Sequence, residues 1–534
     1  MISRHTVSSV QCSCLLIILA ALPLPAFASK CDQLLSLNLP HTVITTAALV
    51  SGGTLKPGEG SPITGLPTFC RVVASLHPAQ DSDIRVEMWM PESSWNGRFE
   101  GTGNGGLAGK INYGLLAGGV RSGYAVANTD MGLAVPPGRD AGVFVGRPER
   151  WADWGYRATH EMTLLAKQLV KAYYGRDAKK SYFTGCSTGG EQALMEAQRF
   201  PDDYDGIVGG APAHNRTGVH VSILWNFAVP QRSAASYLPP AKISLLSEAV
   251  VRFCDALDGV KDGLITDPRV CSFDPASLQC KAGDGEKCLT AEQVTTVKAL
   301  YAGPTNPKSG KQLYPGLQMG SEFGWTQLGP APNPGVRAPY SPVFEWVFEE
   351  KWNWRAFDFD QDVDRLNDRL AETLNATNPD LDAFRSHGHK LLLYHGWGDS
   401  LVAPGETINY FEAVRTRDAE LHPHRDSVAA GESIDASVRL FMVPGMGHCG
   451  GGPGAASFDP LSAMVKWVED GTAPDALIAT KSRSVPTAGS IIQQRLLCPY
   501  PQVARYTGAG NTDDASTYAC AIPNSATNSR NPGK

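Results

Sequence analysis

The chain has 534 residues, of which 42% are hydrophobic and 19% charged, so it is too long for a minimal domain and too apolar for a disordered chain. Lys and Arg number 47 against 53 Asp and Glu, which gives a net charge of −6 with no block of like charges. This balance does not suggest a nucleic-acid or anionic-membrane partner.

The first 28 residues predict a secretory signal peptide. Arg4 and His5 form a short basic start, residues 14–24 are apolar, and residues 25–28 offer an Ala-x-Ala cleavage site. The apolar run is shorter than the roughly 18 residues that span a bilayer. We therefore expect an exported protein, periplasmic or extracellular, with no membrane contact after cleavage.

Removal of this segment leaves ten cysteines, an even number that predicts disulfides in an exported chain. Sequence neighbours suggest four pairs: Cys31–Cys70, Cys254–Cys271, Cys280–Cys288 and Cys498–Cys520. Cys186 and Cys449 are left as the one long-range pair. No C-x-x-C spacing occurs, so zinc or thioredoxin-like chemistry has no support.

Strand and helix patterns alternate from residue 84 onward. Alternating or short apolar runs predict strands at 84–90, 97–100, 124–127, 180–184 and 207–210. Apolar residues at three- and four-residue spacing predict a helix over 153–174, and a second helix follows the glycine turn at 185 and extends to 200. This alternation indicates an α/β protein with a mainly parallel sheet.

The alternation is lost between about residues 224 and 385, where Pro, Trp, Asp and four cysteines cluster. Strand patterns resume at 390–395 and 439–443, and a helical pattern follows at 461–469. The simplest account is one sheet domain interrupted by a large insertion. It consists of core residues 29–223 and 386–523, an inserted lid at 224–385 and a flexible tail at 524–534.

A G-x-S-x-G motif at residues 185–189 lies between a predicted strand and a predicted helix. In this context it predicts a strained turn that exposes Ser187 Oγ at a helix N-terminus, where the dipole and free N–H groups favour negative charge. The pentapeptide alone is a weak signal, and a plain glycine turn is the alternative. Its placement favours a nucleophilic serine.

A serine nucleophile requires a base and an orienting carboxylate, in the chain order Ser, Asp, His for this motif. Asp399 and His448 each follow a buried strand pattern through a glycine turn, the position expected of these partners. The structural alternatives are a loop-capping Asp and a surface His.

The long-range cysteine pair flanks these residues, because Cys186 precedes Ser187 and Cys449 follows His448. A disulfide between them would close a long loop, and the chain-entropy model gives a stabilisation of roughly 5–6 kcal/mol for that closure. It would preorganise nucleophile and base, although simple stapling of the fold is compatible with the same bond.

An oxyanion hole needs two backbone donors, one of which is expected from Thr188, after the nucleophile. The glycine-rich turn at 101–106 is the predicted source of the other, with the Asn104 N–H preferred and Gly103 or Gly105 next. The turn lacks the spacing of a dinucleotide fingerprint, so no organic cofactor is expected.

An acidic loop within the predicted insertion suits Ca²⁺, which prefers oxygen ligands. The expected ligands are the carboxylates of Asp255, Asp258 and Asp262 and the carbonyl oxygens of Val260 and Leu264. The spacing is not that of an EF-hand, and a solvated acidic loop is the alternative. The predicted Cys254–Cys271 bridge would close the loop.

Several motifs between Cys31 and Cys520 resemble the tannase and feruloyl esterase family of exported α/β-hydrolases. The motifs are G-C-S-T-G-G at 185–190, F-P-D-D-Y-D-G-I-V at 200–208, C-D-A-L-D-G at 254–259, Y-H-G at 394–396, V-P-G-M-G-H-C-G-G-G-P at 443–453 and L-C-P-Y-P at 497–501. The resemblance implies an α/β-hydrolase fold, a Ser187–Asp399–His448 triad joined by the Cys186–Cys449 bridge, a lid domain with structural Ca²⁺, and aromatic ester substrates.

The sequence departs from the terephthalate monoester hydrolases of this family at one position. Those enzymes have a glutamate after the nucleophile where this chain has Thr188. Their carboxylate-binding arginine has no secure equivalent in the predicted lid, where Arg337 and Arg355 are the candidates. This departure favours hydroxycinnamate or gallate esters.

We therefore expect a secreted serine carboxylesterase that acts on small aromatic esters. One alternative is the same site acting on mono(2-hydroxyethyl) terephthalate, and another is a calcium-dependent binding module with an inactive hydrolase core. Only the family resemblance argues against amide cleavage. The oligomeric state is left open.

Overall fold

The computed structural model describes residues 1–2, 29–58, 60–107, 109–136, 139–349, 352–423, 434–483 and 490–523. Most of the predicted signal peptide, residues 3–28, and the predicted tail at 524–534 lie outside the described residues. Within the described ranges, no helix is both long enough and apolar enough to cross a membrane.

The strands are β1 (Thr42–Val50), β2 (Thr54–Leu55), β3 (Ile63–Thr64), β4 (Phe69–Leu76), β5 (Ile84–Pro91), β6 (Arg98–Thr102), β7 (Ala125–Thr129), β8 (Lys180–Cys186), β9 (Gly206–Gly210), β10 (Lys390–Gly396), β11 (Val438–Val443), β12 (Leu477–Ser482), β13 (Ile491–Leu497), β14 (Val503–Tyr506) and β15 (Tyr518–Ala521). The α-helices are α1 (Tyr113–Arg121), α2 (Pro148–Ala152), α3 (Ala158–Tyr174), α4 (Thr188–Arg199), α5 (Arg216–Ala228), α6 (Pro240–Cys254), α7 (Ala291–Ala302), α8 (Ser341–Phe348), α9 (Asp362–Leu374), α10 (Asp382–Ser386), α11 (Pro404–Leu421) and α12 (Pro460–Asp470).

Nine of the described strands form one mixed sheet in the order β1-β4-β5-β7-β6-β8-β9-β10-β11. The pairs from β7 to β11 are parallel, whereas β1, β4 and β5 are joined to one another and to β7 by antiparallel pairs. Helices α3 and α4 pack against this sheet through buried apolar faces. This is the predicted α/β-hydrolase architecture, in which parallel strands deliver functional loops to one edge.

The predicted strands from β5 to β11 and the predicted helices α3, α4 and α12 are all present. The first turn of the predicted helix at 153 is a separate π-helical turn, Asp153–Arg157, that continues into α3. The sequence reading missed the first strand of the sheet, because β1 is an edge strand with one fully buried residue and shows little apolar alternation.

The segment between the adjacent parallel strands β9 and β10 spans residues 211–389 and carries α5 to α10. Its described residues form a buried apolar cluster of their own, which includes Leu246, Leu289 and Trp325. We call residues 211–389 the insertion. The bound predicted at residue 224 falls inside α5, which starts close to the sheet and continues outward.

All five predicted disulfides are present, including the long-range bond between Cys186 and Cys449. Two of them, Cys254–Cys271 and Cys280–Cys288, lie inside the insertion. The bonds confirm the pairing inferred from sequence neighbours.

Helix α4 packs so closely on β9 that Gly190 has no room for a side chain. A Cβ atom at Gly190 would lie 2.4 Å from the Gly210 carbonyl oxygen and 2.7 Å from Pro212 Cα. Both are backbone atoms, so the contact cannot be relieved by a rotamer change. The close approach fixes the helix that begins after Ser187.

We expect Gly190→Ala to destabilise the fold by about 1–3 kcal/mol, because the added methyl group overpacks the interface between α4 and β9. Gly118→Ala is the matched control: Gly118 is also helical, and a Cβ there meets nothing within 4 Å. The free energy of unfolding of that control should rise by about 0.5–1 kcal/mol, because Ala has a higher helix propensity than Gly. Urea unfolding of both variants gives the comparison, and equal stabilities would contradict the packing argument.

Candidate active site

The turn after β8 holds Ser187 in an unusual backbone conformation, with φ 65° and ψ −118°. Its N–H donates to the Gly210 carbonyl at 3.0 Å, and its carbonyl accepts N–H groups of Gly190, Glu191 and Ala213 at 3.0–3.1 Å. Positive φ is strained for a residue with a Cβ, so these bonds hold the turn in place. The turn places Ser187 at the N-cap of α4.

Three side chains predicted from the sequence form one hydrogen-bonded chain. His448 Nε2 lies 2.8 Å from Ser187 Oγ, and His448 Nδ1 lies 2.7 Å from Asp399 Oδ2. Asp399 follows β10 and His448 follows β11, neighbouring parallel strands of the sheet. Because the Asp399 carboxylate accepts at Nδ1, the imidazole presents Nε2 as an acceptor toward the serine hydroxyl.

The environment keeps Asp399 ionised although its side chain is fully buried. Burial alone raises the pKa of the carboxyl group, but the charge of His448 and hydrogen bonds from His395 and His448 lower it well below its usual value. Burial lowers the pKa of His448, yet the neighbouring Asp399 raises it, and the net direction is upward. The pair therefore favours a carboxylate next to a more basic imidazole.

A second histidine, His395, holds the same carboxylate, and the sequence reading gave it no role. Its Nε2 lies 3.0 Å from Asp399 Oδ2 and 3.0 Å from the Val402 carbonyl oxygen. Because a carbonyl oxygen only accepts, Nε2 carries a proton, and Nδ1 lies 2.8 Å from Thr407 Oγ1. The Y-H-G motif at 394–396 was the sequence feature that could have pointed to a role for His395.

The other oxygen of Asp399 is also fully engaged. Asp399 Oδ1 accepts the N–H groups of Leu401 and Val402 at 2.8 and 3.0 Å. Together with the two histidines, these bonds fix both carboxylate oxygens, so the Asp399 side chain has one orientation.

The predicted role of Asn104 as a backbone donor needs correction. Its N–H already donates to Gln192 Oε1 at 2.8 Å, and the Gly103 N–H donates to the Thr184 carbonyl at 2.8 Å. Among the described residues, the N–H groups of Thr188 and Gly105 donate to no protein atom. Gly105, ranked below Asn104 in the prediction, therefore has a free N–H among the described residues of this turn, as does Gly106.

A buried ion pair lies beneath the turn. Arg216 Nη2 is 3.3 Å from Glu191 Oε2, and Arg216 Nη1 donates to Thr188 Oγ1 at 3.2 Å. Burial raises the pKa of Glu191 to about 8, although the nearby Arg216 lowers it. The Thr188 hydroxyl in turn donates to the Gly106 carbonyl at 2.7 Å, which joins α4 to the glycine-rich turn.

The disulfide between Cys186 and Cys449 lies directly beside the hydrogen-bonded chain, with its two Cα atoms 5.9 Å apart. It joins the end of β8 to the loop after β11, so Ser187 and His448 are tied through neighbours as well as through their own hydrogen bond.

Two aromatic side chains of the insertion border this site. A Cβ on Gly398 would lie 2.6 Å from the Phe323 ring, and one on Gly452 would lie 3.1 Å from it. A Cβ on Gly106 would lie 3.9 Å from the Tyr340 hydroxyl oxygen. The insertion therefore places one ring beside the loops that carry Asp399 and His448, and another beside the glycine-rich turn.

The acidic loop holds its three carboxylates by local hydrogen bonds. Asp255 accepts from the N–H groups of Asp262 and Gly263, Asp258 accepts from the Val260 N–H, and Asp262 pairs with Arg495. Burial and the charges of Asp262 and Asp255 raise the pKa of Asp258, although hydrogen bonds oppose the shift.

The fit of this loop to a calcium ion rests on its donor chemistry. In this described stretch, the carboxylates of Asp255, Asp258 and Asp262 do not all three lie within 4.8 Å of one another. The Val260 and Leu264 carbonyl oxygens accept no hydrogen bond from the described residues. The donors are all oxygens, as Ca²⁺ requires, and three carboxylates face one arginine.

The chain is similar in sequence to known esterases over most of its length. Residues 70–521 match the family model described as tannase and feruloyl esterase. An uncharacterized esterase of Xanthomonas campestris is 36% identical, over 94% of this chain and 92% of its own length.

Two other relatives have more specific names. A mono(2-hydroxyethyl) terephthalate hydrolase of Piscinibacter sakaiensis is 34% identical, over 86% of this chain and 85% of its own. The crystal structure of feruloyl esterase B from Aspergillus oryzae superimposes with a TM-score of 0.81 at 30% identity, covering 92% of this chain and all of that one.

Proposed function

This chain belongs to the tannase and feruloyl esterase family of carboxylic ester hydrolases, and we propose that it is an exported serine esterase that hydrolyses phenolic acid esters such as feruloyl or galloyl esters. The observation that carries the proposal is the hydrogen-bonded chain from Ser187 Oγ through His448 to Asp399. Five disulfides support export, because such bonds persist in oxidising compartments.

In the proposed reaction, His448 Nε2 accepts the Ser187 proton as Oγ attacks the ester carbonyl carbon. Asp399 holds Nδ1–H and stabilises the imidazolium that forms. The imidazolium then protonates the leaving alcohol, which leaves an acyl group on Ser187. A water molecule activated by the same imidazole hydrolyses this acyl-enzyme and releases the acid.

The N–H groups of Thr188 and Gly105 would stabilise the oxyanion of each tetrahedral intermediate. Both donors are free among the described residues, and the Thr188 N–H also lies at the start of α4, where the helix dipole favours negative charge. A single donor of this kind is worth about 3–4 kcal/mol of transition-state stabilisation.

The phenolic part of the proposal rests on the walls of the site. Phe323 and Tyr340 offer aromatic surfaces to a flat acyl group. Arg337, one of the two arginines considered for binding a terephthalate carboxylate, is already paired with Asp140 and Glu345. The relative named as a terephthalate monoester hydrolase keeps that substrate as the second candidate.

A substrate panel tests this proposal directly. We expect kcat/KM for methyl ferulate or methyl gallate to exceed that for mono(2-hydroxyethyl) terephthalate by at least about tenfold, because Arg337, a candidate partner of the second carboxylate, is already paired with Asp140 and Glu345. Initial rates measured by product chromatography give the ratios. A preference for the terephthalate monoester would replace the first candidate by the second.

Ser187→Ala is the matched control for the panel. It should lower kcat on every active ester by at least about 10⁴-fold while leaving the circular dichroism spectrum unchanged. A fluorophosphonate probe should label wild-type Ser187 and leave the variant unlabelled. Failure to label the wild type in calcium buffer would instead favour a calcium-dependent binding module with an inactive hydrolase core.

The pH profile of kcat/KM tests the coupling between His395, Asp399 and His448. The base must be neutral, so activity falls as the pH drops through the raised pKa of His448. His395→Leu removes one hydrogen-bond donor from Asp399 Oδ2. The carboxylate then attracts the proton on His448 more strongly, which raises the pKa of His448. We expect the acidic limb to move upward by about 0.5–1 pH unit.

His395→Gln serves as the conservative variant, because its amide N–H can replace the lost donor and should restore the limb. Thr407→Val removes only the partner of Nδ1 and tests the same network if the leucine variant is unstable. A lower kcat at every pH, with the acidic limb of the profile unchanged, would mean that His395 contributes only to packing.

The acidic loop of the insertion would hold a structural Ca²⁺ through Asp255, Asp258, Asp262 and the carbonyl groups of Val260 and Leu264. When bound, the ion would neutralise carboxylates that now raise the pKa of Asp258. The loop is already closed by the Cys254–Cys271 bond, so only local adjustment is needed to bring the ligands together.

Removal of calcium should lower the melting temperature of the wild-type protein. Chelation with EGTA is expected to lower it by about 3–5 °C, because an ion at 100 times its Kd contributes about 2.7 kcal/mol. Asp258→Asn should start lower and respond little, whereas the surface control Asp177→Asn should respond like wild type. A wild-type melting temperature that is indifferent to EGTA and Ca²⁺ would contradict the site.

A further inference from the structure

The insertion carries a second cavity of about 830 Å³ that is open to solvent and within the size range of pockets that hold small organic ligands. It is lined by the C-terminal part of α5, by residues 305–310 and by residues 354–359. Arg216, at the start of α5, contacts Thr188, and Trp225 follows nine residues later, about 14 Å along the helix axis. The cavity is therefore distinct from the Ser187 site.

The wall combines aromatic rings with arginines stacked on them. The Arg355 guanidinium carbon lies 4.2 Å from the Trp354 ring centroid, and that of Arg232 lies 5.5 Å from the Trp225 centroid. Phe359 packs edge-on against Trp225, with their ring centroids 5.1 Å apart. A guanidinium group stacked on a ring keeps its N–H edge free to bind a carboxylate.

The charges of the wall favour an anion. Arg232 forms no ion pair within the described residues, and Arg355 donates one hydrogen bond to the Asn333 carbonyl at 3.0 Å. The one acid of the lining is Asp358, whose Oδ1 accepts the Asp360 N–H at 2.8 Å. Two arginines and one aspartate leave a net charge of +1.

A buried acceptor adds a requirement for a hydrogen-bond donor. Gln231 lines the cavity, is 7% exposed, and donates through Nε2 to the Pro330 carbonyl at 2.6 Å. Its Oε1 is buried with no hydrogen-bond partner among the described residues. An unsatisfied buried oxygen costs free energy, and a ligand hydroxyl would satisfy it once the amide turns toward the cavity.

We infer that this cavity binds a hydroxylated aromatic carboxylate, with its ring on the tryptophans, its carboxylate on Arg232 and Arg355, and its hydroxyl donating to Gln231. The choice of ligand rests on the proposed function, because such an acid is the product of phenolic ester hydrolysis. The insertion then holds the released acid at a place separate from the nucleophile.

Equilibrium dialysis of ferulic acid tests the inference. The wild-type protein is first labelled on Ser187 with a fluorophosphonate, which blocks the active site. We expect the labelled protein to retain one ferulate site, and Arg232→Gln combined with Arg355→Gln to weaken it more than tenfold. Methyl ferulate, which lacks the charge, and cinnamate, which lacks the hydroxyl, should each bind more weakly than ferulate.

Arg176→Gln is the matched control, because Arg176 is an exposed arginine stacked on Trp95 far from the cavity in sequence. It should bind ferulate like the wild type. No ferulate site on the labelled protein, equal binding by the double variant, or tighter binding of glucuronate than ferulate would each overturn the inference. Failure of Ser187 to label would count against the proposed function alone, since the arginine variants still report on the cavity.

Discussion

The positive φ of Ser187 is the constraint on which the rest of the site depends. Such strain costs on the order of 1–3 kcal/mol, and the contacts of the surrounding backbone have to offset this cost. Here the glycines pack without side chains: a Cβ on Gly103 would lie 2.5 Å from Gly189 Cα, and one on Gly185 would lie 2.4 Å from the Gly189 carbonyl oxygen. This close packing holds the serine turn between the glycine-rich segment and the start of α4.

The sheet assembles the remaining chemistry from distant parts of the chain. Strands β8, β9, β10 and β11 are consecutive neighbours in parallel, so the loops that carry Ser187, Asp399 and His448 leave the same edge. The Cys186–Cys449 bond closes a separation of 263 residues, worth roughly 5–6 kcal/mol in the chain-entropy model. His395 holds the same Asp399 oxygen that His448 contacts, so position and charge are set together.

Much of this core was predictable from sequence, and the reasons differ by element. The hydrogen-bonded residues Ser187, Asp399 and His448 follow buried strands through glycine turns, so a local pattern locates them. Asn104 failed as a donor because its N–H is engaged by Gln192, a residue 88 positions away, and no local pattern reports such a contact. His395 was missed for a different reason: its partners Asp399, Val402 and Thr407 are close in sequence, but only the folded loop turns them toward its ring. The edge strand β1 lacks the apolar alternation that marks a half-buried strand.

Under the proposed function, the insertion would separate recognition from chemistry. Part of it is built around a buried cluster of its own, whereas Arg216 at its start contacts Thr188. Near the site it contributes the neutral aromatic surfaces of Phe323 and Tyr340, while the neighbouring Arg337 is neutralised by Asp140 and Glu345. Arg232, which forms no ion pair within the described residues, lies instead on the second cavity. Under the proposed function, binding of an uncharged ester is favoured beside Ser187, and binding of the anionic acid formed from it is favoured in the second cavity. The reason is that the walls of these two places differ in charge more than in aromatic character.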